Sequence, residues 1–163
     1  MHTYNAHETE RMHQLHGARL ASFKARAVAF ILDFLAAFVL FVAVFILSAR
    51  LASRLGLLKI ETNVNLKFDL HHWYSILFVV LYFGLFTYFG NGKTPGKWLL
   101  GIRVVSLAHE RMSLWHSFER ALGYGASALE FGFGFIQYFI HPNRRTVHDR
   151  IAETIVVKEE KKA

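Results

Sequence analysis

The sequence predicts an all-α membrane protein: two transmembrane helices, a third apolar helix that is re-entrant, interfacial or spanning, and a small cytoplasmic β element. Three observations lead there. Two apolar runs, residues 27–47 and 73–90, are 21 and 18 residues long with one charge and none. At about 1.5 Å per residue each is long enough for a hydrocarbon core of about 30 Å. The chain is 53% hydrophobic with mean hydropathy +0.27, yet its formal charge is +7. A nucleic-acid partner would account for the charge but not for the uncharged runs. An integral protein of a bilayer with anionic headgroups accounts for both. Finally, two β-branched patches, 102–105 and 154–157, lie outside the apolar runs and have the composition of short strands.

Residues 1–22 form a polar, histidine-rich tail, expected to be frayed. They lack the apolar core and small-residue cleavage site of a signal peptide, so the first apolar run is expected to stay in the mature protein. A membrane domain over 23–158 and a charged end over 159–163 follow. Lys24 and Arg26 precede the first span, Arg50 and Arg54 follow it, and the mixed polar stretch 48–72 reads as the outside loop.

The stretch 90–105, "GNGKTPGKWLLGIRVV", imitates a phosphate-binding loop but fails its spacing. Gly92-Lys93-Thr94 needs a glycine where Thr87 stands, and Gly96-Lys97 is followed by Trp98. The expected structure is a turn at the membrane surface made by Gly92, Pro95 and Gly96. Lys93 and Lys97 would face lipid phosphates and Trp98 would sit in the interfacial belt. A plain turn with solvated lysines is the alternative. Beyond it, Ser113 is a plausible N-cap. The third apolar run, 121–140, carries Glu130. His116, Arg120, Gly123, Ser127, Glu130, Gly134, Gln137 and His141 alternate four and three apart, which puts them on one helix stripe facing other helices or water.

Charge orients the spans. Three full spans would leave 9 and 10 Lys/Arg on the two sides; two spans with a third segment that does not cross give 15 against 4. The positive-inside rule prefers the second arrangement, with both the N-terminus and the C-terminus in the cytoplasm of a multi-pass cell inner-membrane protein. Within the first span, Asp33 costs roughly 2.5–3.5 kcal/mol on insertion scales. It shares a stripe with Arg26, Ala29, Ala36 and Ala37, so it should face protein. Asp33 and Glu130 together could form an ion or proton site, or a polar clasp between helices. The histidines match no metal site, there is no cysteine, and no nucleophile–base pair stands out. No metal, no cofactor and no enzyme activity are expected.

These residues resemble the RDD family of small membrane proteins, named for one arginine and two aspartates. The likeness rests on "RAVAFILDF" (Arg26, Asp33), "GKTPGKWLLGIRVV" (Thr94, Pro95, Gly96, Lys97, Gly101, Val104, Val105), "SFERAL" (Arg120) and "RRTVHDRIAETIVV" (His148, Asp149, Thr154, Val156, Val157). It spans about residues 20 to 158. Where family members often have Ala-Gly-Thr, this chain has Ala152-Glu153-Thr154, which does not favour a tight turn. The resemblance implies an integral membrane protein and, for activity, transport at most. Two functions follow as expectations: a carrier of an ion or small solute, with Asp33 and Glu130 on its path, or a scaffold or accessory subunit in which Arg26, Asp33 and Asp149 hold the fold. Either could work as a homo-oligomer or with a membrane partner. If the tail returns to the cytoplasmic surface, a bidentate Arg26–Asp149 bond would tie it to the first helix. Otherwise Asp149 would cap a short helix or turn.

Overall fold

The computed structural model describes residues 10–56, 73–129 and 133–159, with only the backbone described at 125–129 and 133–135. Glu130, most of the expected outside loop, and His2, His7, His71 and His72 therefore lie outside the described residues. The elements run α1 (Glu10–Gln14), α2 (Phe23–Arg54), α3 (Trp73–Phe89), α4 (Pro95–Leu99), β1 (Ile102–Ser106), α5 (Leu114–Leu129), α6 (Phe133–Ile140), α7 (Val147–Ile151) and β2 (Thr154–Lys158).

The helix α2 begins at an N-cap, Ser22, whose hydroxyl accepts the Ala25 amide at 3.3 Å. It runs 32 residues, about 48 Å, and so continues past residue 47 into the stretch expected to be loop. Its buried stripe is Ala29, Asp33, Ala37 and Phe41, each four residues apart. Much of its remaining surface is apolar and exposed, as at Val28, Ile31, Leu35, Val39, Leu47 and Leu51. Exposed apolar surface on that scale calls for lipid or a partner. By length and composition α2 can cross a membrane, and α3 is a shorter apolar helix of 17 residues. It packs mainly on α5, while the third apolar run is divided into α5 and α6. Ser113 caps α5, accepting the His116 amide at 3.1 Å.

Pro95 does not break a helix here but opens one. It stands at the first position of α4, where its missing N–H is no loss. The preceding turn uses Asn91 and Gly92 at positive φ (46° and 90°). A Cβ at Gly92 would sit 1.9 Å from the Val104 carbonyl oxygen, so the close turn requires glycine.

The two β-branched patches pair as expected. β1 and β2 form an antiparallel ladder from Ile102↔Lys158 to Ser106↔Thr154. Period-2 alternation gives the ladder two apolar faces. Ile102, Val104 and Val156 pack with Ala21, Ala29 and Met112, while Ile155 packs with Leu20 and Leu107. Met12 and Leu15 close over the second face, so residues 10–22 are not a frayed tail. Leu20 extends the sheet by a bridge to Val157, because its outer edge would otherwise be unpaired. At the turn into β2, Glu153 adopts φ 45°. The tight turn that its side chain does not favour is present nonetheless, held by the Leu107 amide on its carbonyl at 2.9 Å.

Candidate functional site

Two carboxylates, Asp33 and Asp149, are fully buried. Each is assembled from a different logic.

Asp33 is held by the stretch that imitates a phosphate loop. Thr94 is the N-cap of α4, and the first turn of any helix offers unpaired N–H groups to an anion. Here that anion is the protein's own side chain. The Gly96 amide donates to Asp33 Oδ1 at 2.7 Å and the Thr94 hydroxyl donates to Oδ2. Lys97 Nζ donates to Thr94 Oγ1 at 3.1 Å and stands 3.7 Å from Asp33 Oδ2. A Cβ at Gly96 would lie 2.4 Å from the Ala29 carbonyl oxygen, so the α4 backbone reaches the carboxylate because residue 96 is glycine and residue 29 is small. Lys97 is thus buried at 5% exposure and does not face lipid phosphates; the acid inside the helix pair draws it inward. Lys93 is drawn to Glu159, at 2.7 Å. Of the three residues expected at the lipid surface, Trp98 alone is exposed.

Asp149 sits at the third position of α7, where its side chain accepts the Thr146 amide at 3.2 Å and caps the helix. Its remaining capacity goes to two guanidinium groups. Arg26 Nη1 donates to Oδ2 at 2.7 Å, and Arg120 Nη1 donates to Oδ1. The Arg26–Asp149 bond is therefore present, but it is not bidentate: each oxygen takes one arginine. Each arginine also reaches β2, Arg26 through the Val156 carbonyl at 3.3 Å and Arg120 through the Thr154 hydroxyl at 2.8 Å. Both Nε–H groups are buried without a hydrogen-bond partner among the described residues. One carboxylate thereby joins α2, α5, α7 and the sheet. Gly123 permits it, since a Cβ there would meet His148 Cβ at 2.8 Å.

Burial alone would raise the Asp149 carboxyl, but Arg120 and Arg26 outweigh it and hold it well below the usual carboxylate range. Burial also lowers His148, to about 3, with Arg120, Arg26 and Lys97 reinforcing and Asp149 opposing. The imidazole is neutral at pH 7, and its Nε2 is 2.9 Å from Thr146 Oγ1. The two centres share a cleft of about 560 Å³, lined by Lys97 from one, Arg26, Arg120 and His148 from the other, and Tyr124 between them.

Sequence reasoning brought Arg26 and Asp149 together but missed the pairing of Arg120 with Asp149 and the partners of Asp33. The signals were there: Arg120 lies on the α5 stripe with Gly123, and Thr94-Pro95 is a helix-start signature.

A long apolar helix with much of its surface bare, tied to α4, α5, α7 and the sheet through two buried aspartates, fits a small helical membrane protein. The chain belongs to the RDD family, which matches residues 20–153. It is also 37% identical over 82 residues to the uncharacterized protein YxaI of Bacillus subtilis (strain 168), an alignment covering 50% of this chain and 54% of that one. The chain thus spans about half the length of this relative. No solved structure matches it.

Proposed function

We propose that this protein is a multi-pass membrane scaffold or accessory subunit, not a carrier that moves ions past Asp33. The observation that carries this reading is that both carboxylates are fully engaged by fixed donors. Asp33 receives a backbone amide and a hydroxyl with Lys97 beside it, and Asp149 receives two guanidinium groups. A group that binds a transported cation must exchange partners with water at low cost, and donors fixed by a backbone turn do not leave easily. Neither centre forms a nucleophile–base pair, and the role is non-catalytic.

In this reading α2 and α3 cross the bilayer and α5–α6 enter and return on the same side. Two observations support it. The Met112 amide beside the start of α5 bonds Asn91 Oδ1 at 3.3 Å, and Tyr138 near the end of α6 bonds the Ala21 carbonyl at 3.0 Å. Both contacts lie at the sheet end of the molecule. In addition, the Lys158 amide bonds the Arg19 carbonyl at 2.8 Å, so the segment before α2 and the last strand sit on one side. With 15 Lys/Arg on that side against 4, it is the cytoplasmic one.

The test is ion flux in liposomes with wild type and Asp33→Asn side by side, with folding checked for each. The expected result is no proton or cation flux above empty liposomes for either protein. Flux in the wild type that vanishes in a folded Asp33→Asn variant would overturn the scaffold reading in favour of transport. Reporters fused at both ends test the topology, and a C-terminal reporter active only outside the cytoplasm would restore three full spans.

A further inference from the structure

The cleft of about 560 Å³ that the two centres share has unlike walls. Phe23, Phe30, Ile31, Ile136 and Phe139 form the apolar one. Ile31, Ile136 and Phe139 are exposed as well as lining it, so they mark its mouth on the apolar outer surface of α2 and α6. Arg26, Lys97 and Arg120 stand on the other wall. Tyr124 lies beside them, its ring centre 5.7 Å from the Arg120 guanidinium carbon.

Charge does not balance on that wall. Asp149 answers Arg26 and Arg120 together and Asp33 stands 3.7 Å from Lys97, so among the described residues three cations meet two carboxylates. His148 lines the cleft too but is neutral at pH 7 and changes nothing in that count. Donors also remain. Arg120 sends both its hydrogen bonds through Nη1, to Asp149 and Thr154, and its Nη2 makes none among the described residues. Lys97 Nζ, with three N–H groups, gives one bond to Thr94. The acids are saturated by donors, whereas the cations are not saturated by acids. A buried cation without its counter-ion is costly, and more so beside hydrocarbon. One negative charge would balance the wall, and a dianion would replace a surplus cation with a surplus anion. The charge must also pass an apolar mouth. An inorganic anion gains nothing from that mouth, and a glycerophosphate head would carry extra polar oxygens past it without donors. A carboxylate on a hydrocarbon chain meets both conditions, and guanidinium groups suit carboxylates in geometry as well as charge.

We propose that this cleft binds a hydrophobic monocarboxylate, the class of a free fatty acid, with its carboxylate against Lys97, Arg26 and Arg120 and its chain running out past Ile31, Ile136 and Phe139. Entry from the bilayer rests on the membrane reading above, and the scaffold role stands unchanged beside it.

Titration calorimetry on the full chain, delipidated in neutral detergent, tests the site. The probes are laurate, dodecanol with the same chain and no charge, inorganic phosphate, and phosphatidylglycerol. Laurate should bind one per chain and roughly tenfold tighter than dodecanol. Neither phosphate nor phosphatidylglycerol should displace it at equal concentration. Ile31→Trp and Ile136→Trp fill the mouth from exposed positions; each should weaken laurate about tenfold with the ligand-free melting temperature unchanged. Lys97→Gln removes the surplus charge and should bring laurate down to the affinity of dodecanol. If that variant does not fold, the two tryptophan variants decide. Laurate no tighter than dodecanol, laurate binding unchanged in the Ile31→Trp/Ile136→Trp double variant, or displacement by phosphate or phosphatidylglycerol would each overturn the proposal. Membrane fractionation separates this failure from that of the underlying reading. Protein found in membranes without laurate binding sinks the site alone, whereas protein recovered in the soluble fraction sinks both.

Discussion

Asp33 and Asp149 are equally buried, yet their surroundings differ in kind. Asp33 takes its hydrogen bonds from a hydroxyl and a backbone amide of one short segment, with its cation 3.7 Å off. Asp149 takes direct bonds from two arginines that arrive from separate helices. The first is a helix-start cradle that fits one loop to one helix. The second is a charged joint with one more cation than anion, and everything that meets there depends on it. A buried charge left without its partner costs far more than a lost neutral hydrogen bond, so the two aspartates should respond unequally to the same change.

That inequality gives the largest expected effect. Asp149→Asn leaves two buried guanidinium groups facing a neutral amide and should cost about 3–5 kcal/mol. Asp33→Asn still accepts the Gly96 amide and leaves one buried cation, Lys97, that already stands 3.7 Å off, so it should cost less, about 1–3 kcal/mol. Thermal unfolding in detergent measures both, and equal or reversed costs would break the distinction. Within the joint, Arg26→Ala and Asp149→Ala should together cost less than their sum.

A smaller effect comes from the glycines that bring each centre together. Gly96→Ala puts a methyl group 2.4 Å from a backbone oxygen, whereas Gly123→Ala meets the His148 side chain at 2.8 Å and its Cα at 3.0 Å. Overpacking of this kind costs about 1–3 kcal/mol. Gly96→Ala should lie at the upper end, because the Ala29 carbonyl cannot swing aside without disturbing α2. A milder effect at Gly96 than at Gly123 would show that the cradle is the looser of the two.

Lowering the pH probes the Asp149 joint without any substitution. His148 has a folded value of about 3 against 6.5 unfolded, so below pH 6.5 the unfolded chain binds a proton that the folded chain does not. Stability should therefore fall as pH drops, by about 1.4 kcal/mol per pH unit. Asp149 adds to the loss only below its unfolded value of 3.8. His148→Gln should flatten the slope between about pH 6 and pH 4, and an unchanged slope in that variant would assign the effect elsewhere.

Much of this architecture is legible along the chain, and the boundary of legibility is physical. Run length identifies α2 and α3, and β-branching identifies the two strands. The approach of Arg26 to Asp149 follows from placing both at one surface. What is not legible is which partner a residue selects at long range. Lys97 reads locally as a loop lysine because nothing nearby announces an acid more than sixty residues earlier. Thr94-Pro95 announces a helix start but not the carboxylate that fills it. Arg120 carries the right stripe, yet its partner comes from α7, five residues long and without apolar periodicity to mark it. Glu153 shows the opposite case, a backbone conformation imposed by the sheet against the preference of its own residue type.

The joint at Asp149 also sets an order of events. Arg26 and Asp149 are 123 residues apart. At roughly 5–20 residues per second of synthesis, the arginine waits about 6–25 s for its carboxylate. During that interval α2 is already made while the strand that closes the two-stranded sheet does not yet exist. A ribosome that stalls before residue 149 leaves behind a chain with two unneutralised guanidinium groups and an open sheet edge. Both arginines share a carboxylate that does not exist until residue 149 is made, so the joint cannot close before then, however early α2 forms.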